Sequence, residues 1–251
     1  MSVEDFLYRI GESVDSVIHG IINFINPTPS EEPPSFRYLG RLVKKRLTTH
    51  EYLSLKLQIA FLLYLIMNLI LLFLRASPLW LVGVAAVYFL YLRYTLVRNR
   101  EFFVEHEPYR FFYYAISLIS FAVFTGYTVV RRIATSIYYY YAYLLIAFVA
   151  VMAFRWYFKQ RYGRDYTYGV VEEIKGEVVK VFVHDDIAAN VKPGHYWVDA
   201  VEDLEVGRVV KLIVEDRKLK GAVPLKIIEV YLSDIENQSS HSSTEPKEET
   251  E

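Results

Sequence analysis

The sequence predicts a helical membrane protein with four spans arranged as two hairpins, followed by a small all-β barrel of the oligonucleotide/oligosaccharide-binding (OB) type. Three observations predict it. Residues 57–74, 76–92, 111–130 and 133–154 contain no Asp, Glu, Lys, Arg or His. Lys and Arg gather on one side of these stretches. After Gly163, continuous apolarity gives way to period-two alternation.

The charge-free stretches are 18, 17, 20 and 22 residues long. As helices they reach roughly 26 to 33 Å, against a hydrocarbon core about 30 Å thick. Arg75 to Pro78 separates the first two and Arg131-Arg132 the last two, so each pair is expected to form a tight hairpin with little protein exposed on that side. Fourteen Lys and Arg lie on the opposite side: Arg37, Arg41, Lys44, Lys45, Arg46 and Lys56, then Arg93, Arg98, Arg100 and Arg110, then Arg155, Lys159, Arg161 and Arg164. The positive-inside rule makes that side cytoplasmic and places both termini there. Tyr and Trp mark the same borders, Tyr88, Tyr91, Tyr94, Tyr113, Tyr114, Trp156 and Tyr157 at the inner ends, Trp80, Tyr127 and 138–141 at the outer, because an amphipathic ring prefers the headgroup level.

Ahead of the spans, residues 1–26 read as an amphipathic helix, with Val3, Phe6, Leu7, Ile10, Val14, Val17, Ile18, Ile21 and Ile25 at three- and four-residue steps and Asn26-Pro27 as the stop. Its polar face carries Arg9 against four acids. Helices that lie on bilayers usually present Lys and Arg, so docking on protein is favoured over a lipid surface. Residues 27–35, with Pro27, Pro29, Pro33 and Pro34, form a stiff linker. Residues 36–56 read as a basic juxtamembrane helix, and Lys44, Lys45, Arg46, Arg98 and Arg100 are the candidate contacts for anionic lipid. Thr48-Thr49-His50-Glu51 offers a capping start for the first span.

No ionisable group lies inside the spans. Proton- and ion-coupled transporters and voltage sensors use such groups to bind or move charge, so those classes are disfavoured. Asn68, Ser117, Ser120, Thr125 and Thr128, with Ala122 and Gly126 four apart, suit helix packing and interhelical hydrogen bonds. A pore formed by an oligomer and gated by dewetting needs no charge and stays open.

The connection Arg93 to Arg110 is expected to continue the second span as a helix until Pro108. Glu101 and Glu105 would then share a face beside His106 and Glu107, a ligand set suited to a divalent metal, to which His50 and Glu51 could add. The alternative is a solvated, salt-bridged helix.

Beyond Gly163, residues 166–174, 177–183, 196–201, 209–214 and 225–232 read as five strands punctuated by Lys175-Gly176, Pro193-Gly194, Val206-Gly207 and Lys220-Gly221. Five strands in a domain of residues 163–232 suggest a small closed barrel. Its loop 184–195 concentrates the polar chemistry: His184, Asp185, Asp186, Asn190 and His195 are the candidate ligand or partner residues, with His184 and Asp186 placed to orient an imidazole. Asp, Asn, Pro and Gly also simply turn chains.

Composition closes off other classes. There is no cysteine, which excludes disulfides, thiolate catalysis and Cys-based zinc sites. Net charge is −1 overall but −5, +13, −4 and −5 over residues 1–35, 36–164, 165–232 and 233–251. An acidic barrel makes nucleic acid a poor partner. No nucleophile with a base, phosphate loop or paired-glycine signature supports catalysis, and no cofactor is implied. Residues 233–251, acidic and almost without apolar side chains, are expected to be disordered.

Residues Asn99-Arg-Glu-Phe-Phe-Val104, Glu107-Pro-Tyr-Arg-Phe-Phe-Tyr-Tyr114, Phe154-Arg-Trp-Tyr-Phe-Lys159 and Gly163-Arg-Asp-Tyr-Thr-Tyr-Gly-Val-Val171 resemble an archaeal family of integral membrane proteins, a domain of unknown function, over residues 1–232. The resemblance implies a four-span membrane protein and carries over no activity or site. The barrel is also loosely similar in architecture to soluble domains of the NfeD type. The reading that follows is a membrane-anchored scaffold or adaptor whose cytoplasmic barrel binds a protein partner or ligand. Its rivals are an oligomeric channel with the barrel as vestibule and a metal-dependent membrane enzyme.

Overall fold

The computed structural model describes residues 3–34, 48–202, 204–217 and 221–231. The basic segment 35–47, with Lys44, Lys45 and Arg46, and the tail 233–251 lie outside these residues. The chain divides into two compact units at Gln160/Arg161.

Among the described residues the first unit holds five α-helices: α1 (Val3–Ile25), α2 (Thr49–Phe73), α3 (Pro78–Arg98), α4 (His106–Ile133) and α5 (Ile137–Tyr162). The last four are long and apolar enough to cross a membrane. The start of α2 is the capping box that the sequence offers: the Thr48 hydroxyl accepts from the Glu51 amide, and the Glu51 carboxylate accepts from the Thr48 amide at 2.9 Å. Pro78 opens α3, where its missing N–H costs nothing. Arg131 and Arg132 belong to the last turn of α4, and the connection to α5 is residues 134–136 rather than the arginine pair.

α3 packs on both α2 and α4, and α2 touches α4, so the first three spans form one cluster. Its polar seam is buried. Tyr64 of α2 stacks on Tyr88 of α3 at 4.3 Å, and Ser117 of α4 donates to the Tyr88 hydroxyl at 3.2 Å. Asn68 turns back on its own helix, donating to the Tyr64 carbonyl at 2.8 Å, and Ser120 and Thr125 do likewise. α5 meets α4 through rings, Phe111 and Phe112 against Phe154 and Phe158. At Gly126 a Cβ would sit 3.0 Å from the Tyr143 hydroxyl, which reaches past it to donate to the Val123 carbonyl. A glycine there lets the tyrosine close the α4–α5 contact.

The expected helix through to Pro108 does not form. α3 ends at Arg98 under Asn99, a 3₁₀ turn occupies Arg100–Phe102, Phe103 is extended, and α4 begins at His106 with Pro108 in its first turn. Proline is tolerated in a first turn because the amide it lacks would be unpaired there. Pro108 therefore starts a helix instead of ending one, and Glu101 and Glu105 share no helical face.

The second unit is a closed barrel of β1 (Tyr166–Lys175), β2 (Val178–Val183), β3 (Gly194–Asp199), β4 (Val209–Arg217) and β5 (Gly221–Tyr231), in the order β1-β2-β3-β5-β4. All neighbours are antiparallel except β3 and β5, the five-stranded Greek-key closure of an OB-like barrel. Alternation decides what is inside: Val179, Val181 and Val183 of β2 meet Val171, Val198, Val210, Leu212 and Ile227 in the core. Gly169 lies on the same inward face, where a Cβ would stand 2.4 Å from Val181 Cγ1, so only glycine admits the two strands at this spacing. A bulge between Val171 and Glu173 leaves Glu172 as the extra residue of β1.

Candidate functional site

The loop after β2 is held from within. One Asp186 carboxylate oxygen accepts from Arg164 at 2.8 Å and Thr167 at 2.7 Å, and the other from the amides of Ala188 and Ala189 at 3.1 and 3.0 Å. Asp186 and Val191 exchange both backbone hydrogen bonds. Asn190 takes the left-handed conformation at φ 56°, and its carbonyl accepts from the Ala222 amide at 2.8 Å. Gly221, at φ 84°, faces that carbonyl so closely that a Cβ would lie 2.9 Å away. Asp186 and Asn190 thus shape the loop and tie it to β5. The Asp186 carboxylate is committed to four donors, which does not match the role of orienting His184. Asp185 is half-buried in the same loop.

The two histidines point elsewhere. His184 meets the Phe182 ring edge-on at 5.1 Å, and His195, opposite Phe182 in the β2–β3 register, lies 5.2 Å from it. His195 Nδ1 is 2.8 Å from a Glu172 carboxylate oxygen, and the Lys180 ammonium is 3.2 Å from the same oxygen. The bulge aims Glu172 at this pair. Across the ladder from Lys180 stands Trp197, 49% exposed, with the Lys175 ammonium 5.3 Å from its ring. Glu172, Lys180, Phe182, His195 and Trp197 form a continuous aromatic and charged face on the outside of β1–β3. OB-type barrels bind their ligands on the face of strands 2 and 3 and in the neighbouring loops.

Of this face, the candidate residues of the sequence include only His195, and Glu172, Lys180, Phe182 and Trp197 join it in the structure. The signal was present in the alternation: with Val179, Val181 and Val183 inward, Lys180 and Phe182 must face out. Glu172 needed the bulge, which the sequence does not announce. The opposite wall is also aromatic, but its groups are engaged with one another. Lys211 pairs with Glu229 at 3.0 Å and sits 4.6 Å over Tyr166, while Tyr231 donates to Glu229 at 2.8 Å.

In the membrane unit, the connection between α3 and α4 folds onto the start of α2. His50 Nδ1 accepts from the Val104 amide at 3.4 Å and Nε2 lies 3.2 Å from the Tyr109 hydroxyl. An accepting Nδ1 puts the proton on Nε2, which then donates to Tyr109. Phe103 fills the space between, 5.9 Å from His50 and 5.3 Å from Tyr109. Asn99 donates to the Thr95 carbonyl at 2.7 Å and His106 Nε2 lies 3.1 Å from the Leu96 carbonyl. Glu101 lies in the 3₁₀ turn and Glu105 immediately before α4. Among the described residues no group of three or more His, Asp or Glu is placed to hold a metal ion. Arg98 and Arg100 are exposed at this end of the bundle.

Two of the four segments that carry the family resemblance supply this buried knot, through Asn99, Phe103, Pro108 and Tyr109. No curated protein and no solved structure matches the chain. The matching family model, described as "Predicted membrane protein (DUF2101)", spans residues 21–228, from the end of α1 through the knot and the spans into β5, and the chain belongs to that family.

Proposed function

We propose that this protein is a membrane-mounted adaptor: four spans hold an OB-like barrel at the cytoplasmic surface, and the β1–β3 face of that barrel docks a protein partner. The observation that carries the reading is Trp197, half-exposed beside Phe182, His195 and the Lys180–Glu172 pair. A large ring set among charges at the centre of a face has the composition of a binding hot spot. Positive-inside charge supports the cytoplasmic placement.

The test is crosslinking in native membranes followed by purification of the full chain, of a chain lacking 165–231, and of Trp197→Ala. A partner band that depends on the barrel and weakens at least tenfold in Trp197→Ala supports the reading. Bands unchanged by deletion of the barrel refute it.

A further inference from the structure

A groove of about 860 Å³ runs between α2 and α3 under Phe24 of α1. Its walls are apolar, including Ile59, Leu63, Met67, Val84 and Val87, and its mouth holds Lys56. From Lys56 to Met67 is about 16 Å along α2, roughly half the ~30 Å hydrocarbon core. The groove is therefore as deep as one leaflet, with a cation at the headgroup level.

The mouth is built for an anion. Arg98 is close enough for its like charge to act on Lys56. Lys56 lies 5.6 Å from the Tyr91 ring and Arg98 5.6 Å from the Tyr94 ring, and among the described residues neither cation is ion-paired with a carboxylate. Phe24 packs at a tilt against Tyr94, ring centres 5.1 Å apart, Arg93 donates to Asn26 at 3.2 Å, and the Ser30 amide donates to the Arg98 carbonyl at 2.9 Å. The end of α1 and the start of the proline linker thereby roof the headgroup end of the groove. Two neighbouring cations without an acidic partner among the described residues, above an apolar channel one leaflet deep, match a phosphate headgroup with its chain below.

We infer that the α2–α3 groove is a binding site for one anionic phospholipid, its acyl chain lying between Ile59, Leu63, Val84 and Val87 and its phosphate held by Lys56 and Arg98.

The experiment reconstitutes the full chain in vesicles of equal parts phosphatidylglycerol and phosphatidylcholine, extracts it in mild detergent and reads retained lipid by native mass spectrometry. The wild type should retain one phosphatidylglycerol in preference to phosphatidylcholine by about fivefold, the effect of roughly one cation at an anionic surface. Lys56→Gln should keep a lipid and lose the preference. Gly83→Leu should lose the lipid, since a Cβ at Gly83 meets nothing within 4 Å and a larger side chain grows into the groove without disturbing the helices. Arg155→Gln, exposed on α5 and outside the groove, should behave as wild type. Equal retention of both lipids by the wild type, or loss of preference in Arg155→Gln equal to that in Lys56→Gln, overturns the site. So does a lipid-free protein whose oligomeric state changes in Gly83→Leu, which would assign the groove to a second copy of the chain.

Discussion

The guanidinium of Arg164 donates to the carboxylate of Asp186 at 2.8 Å, with the two side chains only 14% and 10% exposed. This joins the segment entering the barrel to the loop leaving β2, and Thr167 of β1 shares the same oxygen. Removing one partner of a nearly buried pair strands the other, which costs more than the pair itself contributes. Asp186→Ala should therefore lower barrel stability by about 2–3 kcal/mol, read as a lower urea midpoint of Trp197 fluorescence in the detergent-solubilised chain carrying Trp80→Phe and Trp156→Phe. A variant that unfolds like wild type would return Asp186 to the ligand candidates.

On the opposite wall, Lys211 and Tyr231 both donate to Glu229. Hydrogen bonding to Lys211 holds the Glu229 carboxyl below its ordinary value of 4.5, and Glu229 holds the Lys211 ammonium above 10.5. A depressed carboxyl stabilises the fold above its unfolded value and loses that contribution as pH falls through the folded one. A raised ammonium stabilises below its unfolded value and loses its contribution as pH rises through the folded one. Lys211→Met should thus lower the melting temperature measurably between about pH 5 and pH 10 and converge on wild type at both extremes. Because the Glu229 side chain is half-exposed, the difference should also shrink in 1 M salt. A gap that persists unchanged at pH 2 would assign the effect to packing of the lysine stem over Tyr166.

The His50 knot predicts a different sensitivity. Tyr109 is 2% exposed and Phe103 7%, so Phe103→Ala opens a cavity between three elements and should destabilise the membrane unit by about 3–5 kcal/mol. Tyr109→Phe keeps the ring, removes the hydroxyl that faces His50 and should cost about 1 kcal/mol. Thermal inactivation of monodispersity in detergent ranks the two. Equal losses would mean that the hydrogen bond, rather than the packing, holds the connection.

Much of this architecture is legible in the residues. Lack of charge locates the spans because lipid excludes ions, and period-two alternation locates the strands: residues 166–174 and 209–214 start where β1 and β4 start. Strand ends are less legible, since β4 continues to Arg217 and β5 begins at Gly221, where pairing across the ladder outweighs the polarity of Glu215 and Asp216. Pro108 misleads because the same ring that stops a helix also starts one. Asp186 misleads because Arg164 and Thr167, its side-chain partners, lie 22 and 19 residues away. The β1–β3 face is half-legible: its outward residues follow from alternation, whereas the bulge that adds Glu172 is a property of the folded ladder.

The orientation of the whole assembly is directly testable because the chain has no cysteine. Single substitutions can therefore report sidedness without a background. Ser136, exposed in the turn between α4 and α5, and Asn190, exposed in the barrel, are suitable positions. Asn190→Cys replaces an asparagine, which tolerates positive φ, by a residue that tolerates it less, so Lys226→Cys on exposed β5 is the safer barrel probe. With fourteen basic residues on one side against three on the other, the charge rule predicts that a membrane-impermeant maleimide labels Ser136→Cys in intact cells and Lys226→Cys only after permeabilisation. The reverse pattern would put the barrel outside. It would also separate the two proposals, since the Trp197 face would then meet extracellular partners while the α2–α3 groove would keep its lipid in the opposite leaflet.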